Sequence, residues 1–213
     1  KDFHIALGYK ADAVKKYFLD NNQVSSDFTI DLGTGKQTHF DRDNVDWRVT
    51  LVDTGLDTLT GGRVKRLKSF IGKDSFLLTY GDGLADIDVD ALLAFHKKNG
   101  KMITVTAVRP SARFGELQID GDLVHSFLEK PQTESGCING GYFVVEPEFL
   151  DLIAGDSTIL ERGPLERAAE IGQLAAYKHR GFWQCMDTKR DRDLLNDMYE
   201  EGNPAWECFD SEE

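Results

Sequence analysis

The stretch Phe76-Leu77-Leu78-Thr79-Tyr80-Gly81-Asp82-Gly83-Leu84-Ala85-Asp86 constrains the fold more than any other part of the chain. The apolar run Phe76 to Leu78 reads as a buried, central strand. It stops at a Gly-Asp-Gly turn. Gly81 and Gly83 open backbone conformations that residues with a Cβ avoid, and they let a ligand come close to the main chain. Asp82 then stands just past the carboxyl end of the strand, the edge where open α/β sheets bind ligands. A carboxylate there suits Mg2+, which usually comes with phosphates. The competing reading is an ordinary turn with Asp82 solvated.

The first half of the chain alternates strands and helices around this stretch. Phe3, Ile5 and Leu7 alternate as a strand that Gly8 ends, and Ala11 to Leu19 follows at helical spacing. Phe28 to Leu32 and Arg48 to Val52 read as strands, with Gly33 to Asp46 a polar, exposed loop between them. Asp88 to Lys98 reads as a helix, with His96 a helix-face residue, and Met102 to Val108 as a β-branched strand. This order implies a largely parallel, doubly wound sheet. The second half adds antiparallel structure. Phe114 to Ile119 and Leu123 to Leu128 flank Asp120-Gly121-Asp122 as a hairpin. A strand after Asn139-Gly140-Gly141, a short helix from Pro147, a helix from Leu165 to Ile171, a strand from Leu174 to Tyr177 and a helix from Lys189 to Glu200 follow. Ser211 to Glu213 reads as a frayed tail.

Charge narrows what such a sheet can serve. The 213 residues are 40% hydrophobic and 29% charged, enough for a proper core, and carry a net charge of −12. That balance argues against nucleic acid, which needs a basic footprint. A phosphate ligand would meet a repulsive field, so local cations and a metal must reverse the sign at its site. No apolar run approaches the ~20 residues of a membrane span. Three cysteines, Cys137, Cys185 and Cys208, are far apart and lack C-x-x-C spacing, which points to free thiols in a reducing compartment. No signal peptide is seen, and an opening on Lys1 rather than Met leads us to expect residues before it.

Three further positions, Thr60-Gly61-Gly62-Arg63, Lys130 and Asp187, lie with Asp82 at strand ends or helix starts. Thr60-Gly61-Gly62-Arg63 opens a helix running to about Phe70, with Thr60 as its N-cap. Arg63, Lys65, Arg66 and Lys68 make the one dense basic cluster. It reads as a solvated face, or as an anion site where a Gly-Gly turn exposes N–H groups at a helix start. Lys130, fixed by Pro131, is a phosphate ligand or a surface charge. Asn139 before two glycines holds sugar hydroxyls or marks a bulge. Asp187-Thr188 brings a second carboxylate to the end of an apolar stretch, where Asp187 reads first as an N-cap. If these converge with Asp82, the set is too acidic for phosphate alone but fits phosphate with Mg2+.

Tyr80-Gly81-Asp82-Gly83, Phe114-Gly115, Glu129-Lys130-Pro131, Ile138-Asn139-Gly140-Gly141 and Phe182-Trp183-Gln184-Cys185-Met186-Asp187-Thr188 occur in the order seen in sugar-1-phosphate nucleotidylyltransferases. The chain resembles that family over nearly its whole length. Leu51-Val52-Asp53-Thr54-Gly55 and Thr60-Gly61-Gly62-Arg63 narrow the resemblance to members that transfer a cytidylyl group from CTP to glucose 1-phosphate. It implies an α/β fold: a Rossmann-like, doubly wound mixed sheet of the nucleotide-diphospho-sugar transferase type. It implies Asp82 and Asp187 as Mg2+ ligands, Thr58, Arg63 and Gly81 beside the nucleotide, and Lys130 on the sugar phosphate. Glu129, Asn139 and Gly140 match sugar-binding positions. Asp82, Asp187, Lys130 and Arg63 would carry catalysis. Family members act in the cytoplasm, supply surface-polysaccharide pathways and, among the cytidylyltransferases, form hexamers, to which the loop around Gly33 to Asp46 could contribute.

One departure from the family stands out. The family opens with a strand followed by G-G-x-G-T-R and, further on, P-K-P, a segment that cradles the triphosphate. Here residues 1–213 are expected to be one domain that lacks this segment, with Lys1 aligned after it. The same chemistry with another base (UTP, dTTP or GTP) and a non-catalytic binding module of this fold are the alternatives.

Overall fold

The computed structural model describes residues 1–24, 26–40, 46–110, 116–120, 123–128, 136–202 and 204–207. In chain order these form β1 (Asp2–Leu7), α1 (Ala11–Val24), β2 (Phe28–Ile30), β3 (Gln37–His39), β4 (Arg48–Asp53), α2 (Thr60–Arg66), α3 (Lys68–Ile71), β5 (Phe76–Thr79), β6 (Gly83–Ala85), α4 (Val89–Asn99) and β7 (Ile103–Val108). Then come β8 (Glu116–Asp120), β9 (Leu123–Leu128), β10 (Ile138–Val145), a 3-10 helix (Pro147–Leu152), α5 (Pro164–Glu170), β11 (Leu174–Lys178), β12 (Trp183–Cys185) and α6 (Lys189–Glu200). The chain divides into two compact units, Lys1–Lys73 with Leu150–Glu166, and Asp74–Phe149 with Arg167–Glu213.

The first unit begins as a parallel crossover. β1 pairs with β4 in register from Asp2 opposite Arg48 to Leu7 opposite Asp53, with α1 between them in sequence, as a parallel pair requires. The polar loop expected over Gly33 to Asp46 is in part a hairpin. β2 pairs antiparallel with β3, Phe28 opposite His39. The Asp31 carboxylate shapes its turn by accepting from Gly33 N at 2.8 Å and Thr34 N at 3.0 Å, an Asx turn that stabilises a tight reversal. The helix expected from Thr60 to Phe70 divides at Leu67 into α2 and α3. Val64 and Leu67 are its buried anchors.

The second unit is built on a four-stranded sheet in the order β11-β7-β10-β5. β7 runs parallel to β11, and β10 is antiparallel to both β7 and β5. The Ile-Thr-Val-Thr-Ala-Val sequence of β7 suits its place in the middle. β-branched side chains pack well on a pleat covered on both faces. Phe143, Val144 and Val145 at the end of β10 are fully buried beside it. α4 covers this sheet. Asp88 caps its start, accepting from Ala91 N at 2.9 Å, and Gly100 ends it in the left-handed region. Leu92 on its inner face packs with Ile87 and Val144. Burying side chains of this size contributes roughly 1.5–3 kcal/mol each.

His96, read as a helix-face residue, is buried at 2% exposure. Its Nδ1 lies 2.8 Å from Thr104 Oγ1 and its Nε2 2.9 Å from Glu146 Oε1, which also accepts from Ser75 Oγ. Burial works to raise the Glu146 pKa, but the bonds from His96 and Ser75 outweigh it and hold the carboxyl below its ordinary range.

The sheet is mixed, as expected, but β5 is not the buried central strand that its apolar sequence suggests. Among the described residues it pairs only with β10, and Leu77 is about half exposed. An apolar run reports a strand and not its rank in the sheet. β8 and β9 form the expected antiparallel hairpin. Residues 114–115, 121–122 and the tail 211–213 lie outside the described residues.

Candidate active site

Gly83, read as the end of a turn, begins a short strand. β6 pairs antiparallel with β12, Gly83 opposite Cys185 and Ala85 opposite Trp183. The pairing continues beyond the ribbon, where Met186 N donates to Asp82 O at 2.7 Å. One end of this ribbon therefore presents Asp82 from one strand and Asp187 from the other, both exposed. Asp187 is not the N-cap of α6. Thr188 takes that role in a capping box with Asp191. The cap lies one residue further on because the Thr-x-x-Asp spacing satisfies both ends of the box.

Two neighbouring groups register the negative charge at this ribbon end. Burial pushes the Tyr142 phenol above its ordinary pKa, and the Asp82 carboxylate adds to the shift. Burial likewise raises the Cys185 thiol, helped by its hydrogen bond to Asp187 and the charges of Asp187 and Asp191. Cys185 Sγ lies 3.4 Å from Asp187 Oδ2. Among the described residues no group of three or more His, Cys, Asp or Glu forms a metal cluster. The donor set at the ribbon end is two accessible carboxylates. That fits a hard cation that keeps water and phosphate oxygens as its other ligands, as Mg2+ does, rather than an all-protein cage.

The glycine-rich start of β10 lies at the same end of the sheet. Tyr80 N donates to Gly141 O at 3.2 Å, and Asn139 Nδ2 to Tyr80 Oη at 3.3 Å. Asn139 Oδ1 accepts from Gly141 N at 2.8 Å. The β10–β7 register shifts between Asn139 and Phe143, so a bulge is present. Gly141 has φ 79°, and a Cβ at Gly140 would lie 2.7 Å from Val108 Cγ1. Gly81 differs from these two. Its φ is not positive, and a Cβ there would meet nothing within 4 Å. The turn does not need glycine for its own backbone; what Gly81 leaves is open space beside Asp82.

The second unit thus brings together Gly81, Asp82, Asn139, Gly140 and Asp187. Thr58 and Arg63 belong to the first unit. Thr58 is buried. The Arg63 guanidinium holds main chain and a buried hydroxyl, with Nη1 donating to Leu7 O at 3.0 Å, Thr54 Oγ1 at 2.7 Å and Gly55 O at 2.8 Å, and Nη2 to Leu56 O at 3.1 Å. Arg63 so fixes the loops that leave β1 and β4. Glu129 and Lys130 lie outside the described residues.

The anion site weighed against a solvated face at the Gly-Gly helix start is filled by protein. Leu59, not Thr60, is the N-cap of α2. Leu59 N donates to Asp156 O at 2.8 Å, and Gly61 N and Gly62 N to Thr158 O at 2.9 and 3.3 Å. The first-turn N–H groups that an anion would use are engaged. Thr60 Oγ1 donates to Glu161 Oε2 and accepts from Leu160 N. The basic cluster clasps the same segment. Lys65 Nζ donates to Ile153 O and Ala154 O, Arg66 grips Asp156 at 2.8 and 2.6 Å, and Lys68 pairs with Asp151 at 2.8 Å.

Sequence reasoning gave no role to Tyr142 and Trp183. Both donate hydrogen bonds into the site backbone, Tyr142 Oη to Gly83 O at 2.7 Å and Trp183 Nε1 to Gly140 O at 2.8 Å. The available signal was an aromatic donor adjoining each motif.

The sequence profile of the family described as Nucleotidyl transferase matches residues 9–204. The chain is 44% identical over 211 residues to glucose-1-phosphate cytidylyltransferase of Salmonella typhi, covering 99% of this chain and 82% of that protein. It is 38% identical over 209 residues to the probable glucose-1-phosphate cytidylyltransferase of Bacillus subtilis (strain 168), covering 98% and 82%. In fold it is similar to the crystal structure of HddC from Yersinia pseudotuberculosis, at TM-score 0.61 and 20% identity over 93% of this chain and 78% of that one. By matched span and by identity along its length, the chain belongs to the nucleotidyl transferase family, alongside the glucose-1-phosphate cytidylyltransferases.

Proposed function

We propose that the chain transfers a cytidylyl group from CTP to glucose 1-phosphate, giving CDP-glucose and pyrophosphate. The observation that carries this reading is 44% identity over 99% of the chain to a relative named for that reaction. The ribbon end with two accessible carboxylates supports it. An oxygen of the sugar phosphate attacks the α-phosphorus of CTP. The bond from that phosphorus to the bridging oxygen breaks in line, and pyrophosphate leaves with its electron pair. No covalent enzyme intermediate is required, so positioning and charge neutralisation supply the catalysis.

We assign Asp82 and Asp187 as holders of a divalent cation, Mg2+. When bound, that ion neutralises phosphate oxygens that would otherwise repel each other and the acidic protein. Gly81 leaves room for the nucleotide beside Asp82. Asn139 and Gly140, with Glu129 and Lys130, hold the sugar phosphate. Thr58 and Arg63 serve the nucleotide, Arg63 through the loop backbones that it fixes.

No helix among the described residues is long and apolar enough to cross a membrane. Cys137 and Cys185 are free thiols, in keeping with work in the cytoplasm. Exposed Phe28, Ile30, Leu32 and Phe40 on the β2–β3 arm favour a homo-oligomer, which sedimentation velocity checks; a monomer at micromolar concentration counts against it.

The test is pyrophosphate release with Mg2+, glucose 1-phosphate and each of CTP, UTP, dTTP, ATP and GTP in turn. Release with CTP well above the others is expected. A stronger response to another base moves the chain to a different member activity, and silence beside a working control removes the function.

A further inference from the structure

We propose that Tyr142 and Trp183 are a crossed pair of positioning residues that fix the Asp82 turn against the Asn139-Gly140 segment, so that the metal side and the sugar side of the site are set as one piece. This rests on the reading of Asp82 and Asp187 as the metal carboxylates.

The geometry is a closed circuit. β6 and β12 pair with each other and with no other strand among the described residues. Beside the chain link from β5 and the Tyr80 N–Gly141 O bond, two side chains tie this ribbon to β10. Tyr142, on β10, donates across to Gly83 O at 2.7 Å, one residue from Asp82. Trp183, on β12, donates back to Gly140 O at 2.8 Å, one residue from Asn139. The ribbon pairing Gly83–Cys185 and Ala85–Trp183 joins the two bonds on one side, and β10 itself joins them on the other.

Each acceptor is a carbonyl that its surroundings have freed. The β10 bulge lifts Gly140 out of the regular ladder, and its lack of a Cβ lets it lie against Val108 and Thr106. Gly83 opens the ribbon next to the turn. Both aromatic rings are half-buried, so each donor bond forms where water competes poorly and an orphaned carbonyl is costly. Neither ring needs to touch substrate. Its effect passes through the backbone on which Asp82 or Asn139 is mounted. Residues that orient metal ligands typically matter 10–100-fold in metal affinity.

The test uses Tyr142→Phe, Trp183→Phe and the double variant of the full chain. Binding of Mn2+ is followed by electron paramagnetic resonance, KM and kcat by pyrophosphate release, and folding by thermal melts. Each single variant is expected to weaken Mn2+ binding about 10-fold and to raise KM for glucose 1-phosphate several-fold, while its melt stays cooperative. Because breaking either bond opens the circuit, the double variant should lose much less than the product of the singles. Unchanged Mn2+ affinity or unchanged KM in Tyr142→Phe, which keeps its ring, overturns the proposal, as do multiplicative losses in the double variant. If Trp183→Phe fails to fold, Tyr142→Phe decides alone. Asp82→Asn separates the two levels. If it binds Mn2+ like the native chain, the metal assignment itself fails. If it loses Mn2+ while Tyr142→Phe does not, only the crossed pair fails.

Discussion

Two glycine-rich turns in this chain look alike in sequence and differ in what their glycines are for. Gly61-Gly62 opens a helix beside a basic cluster, and Gly81-Asp82-Gly83 closes a strand. At Gly62 a Cβ would lie 2.5 Å from Asp156 O, and at Gly61 2.9 Å from Thr158 O. At Gly81 a Cβ would meet nothing within 4 Å. The first pair lets the chain pack on itself; the second leaves open space beside Asp82. The charges follow the same division. Lys65, Arg66 and Lys68 are taken up by the segment from Asp151 to Asp156, whereas the Asp82 carboxylate stands exposed at a ribbon end.

The largest effect expected from this contrast is at the carboxylates. Asp82→Asn and Asp187→Asn keep shape and remove charge. We expect kcat to fall by roughly 10^3-fold or more, on the scale of losing a main electrostatic stabiliser, with little change in the thermal midpoint. Steady-state kinetics beside a melt would show it. A variant that turns over near the native rate would end the metal assignment and, with it, the contrast.

The glycines themselves give the next effect. Gly62→Ala should destabilise by roughly 1–3 kcal/mol, since the methyl meets backbone that cannot step aside, despite the helix propensity that alanine brings. Gly81→Ala should change stability by less than ~0.5 kcal/mol and instead raise KM for the nucleotide. Urea unfolding and kinetics on the two variants make the comparison directly. Equal destabilisation at both positions would show that Gly81 also serves packing.

Much of this was legible in the sequence. Period-two and helical patterns located most of the strands and the helices, and the ordered motifs pointed to the family. What could not be read was which neighbour each element meets. Phe76-Leu77-Leu78 gives a strand, but its pairing, with β10 alone among the described residues, depends on residues distant in sequence. Gly61-Gly62 at a helix start is the same signal whether an anion or the carbonyls of Asp156 and Thr158 arrive there. Asp187 reads as a cap until Thr188 and Asp191 are seen to form the box. His96 sits at a helical position that says nothing of Glu146, fifty residues on. Tyr142 and Trp183 were passed over because an aromatic residue beside a glycine motif looks like core.

The smallest effect lies in the clasp around α2, and its size follows from exposure. Arg66 and Asp156 meet at 2.6 Å with side chains 44% and 57% exposed. Such exposed pairs are weak and weaken further with salt, so Arg66→Ala should move the urea midpoint only slightly at pH 7. Hydrogen bonding to Arg66 lowers the Asp156 pKa from its ordinary 3.8, and Lys68 does the same for Asp151. A carboxyl whose pKa is lowered on folding adds stability that is fully present above its unfolded value and is lost as pH falls through the folded one. Urea midpoints should therefore hold steady from pH 7 to pH 5 and decline below about 4. In Arg66→Ala that decline should be shallower, because Asp156 then titrates closer to its unfolded value. The Glu146 carboxyl, lowered by His96 and Ser75, should keep part of the acid sensitivity in either chain. An acid limb identical in slope with and without Arg66 would mean that the clasp is held by the Gly61-Gly62 backbone contacts alone, and that its charges only decorate the surface.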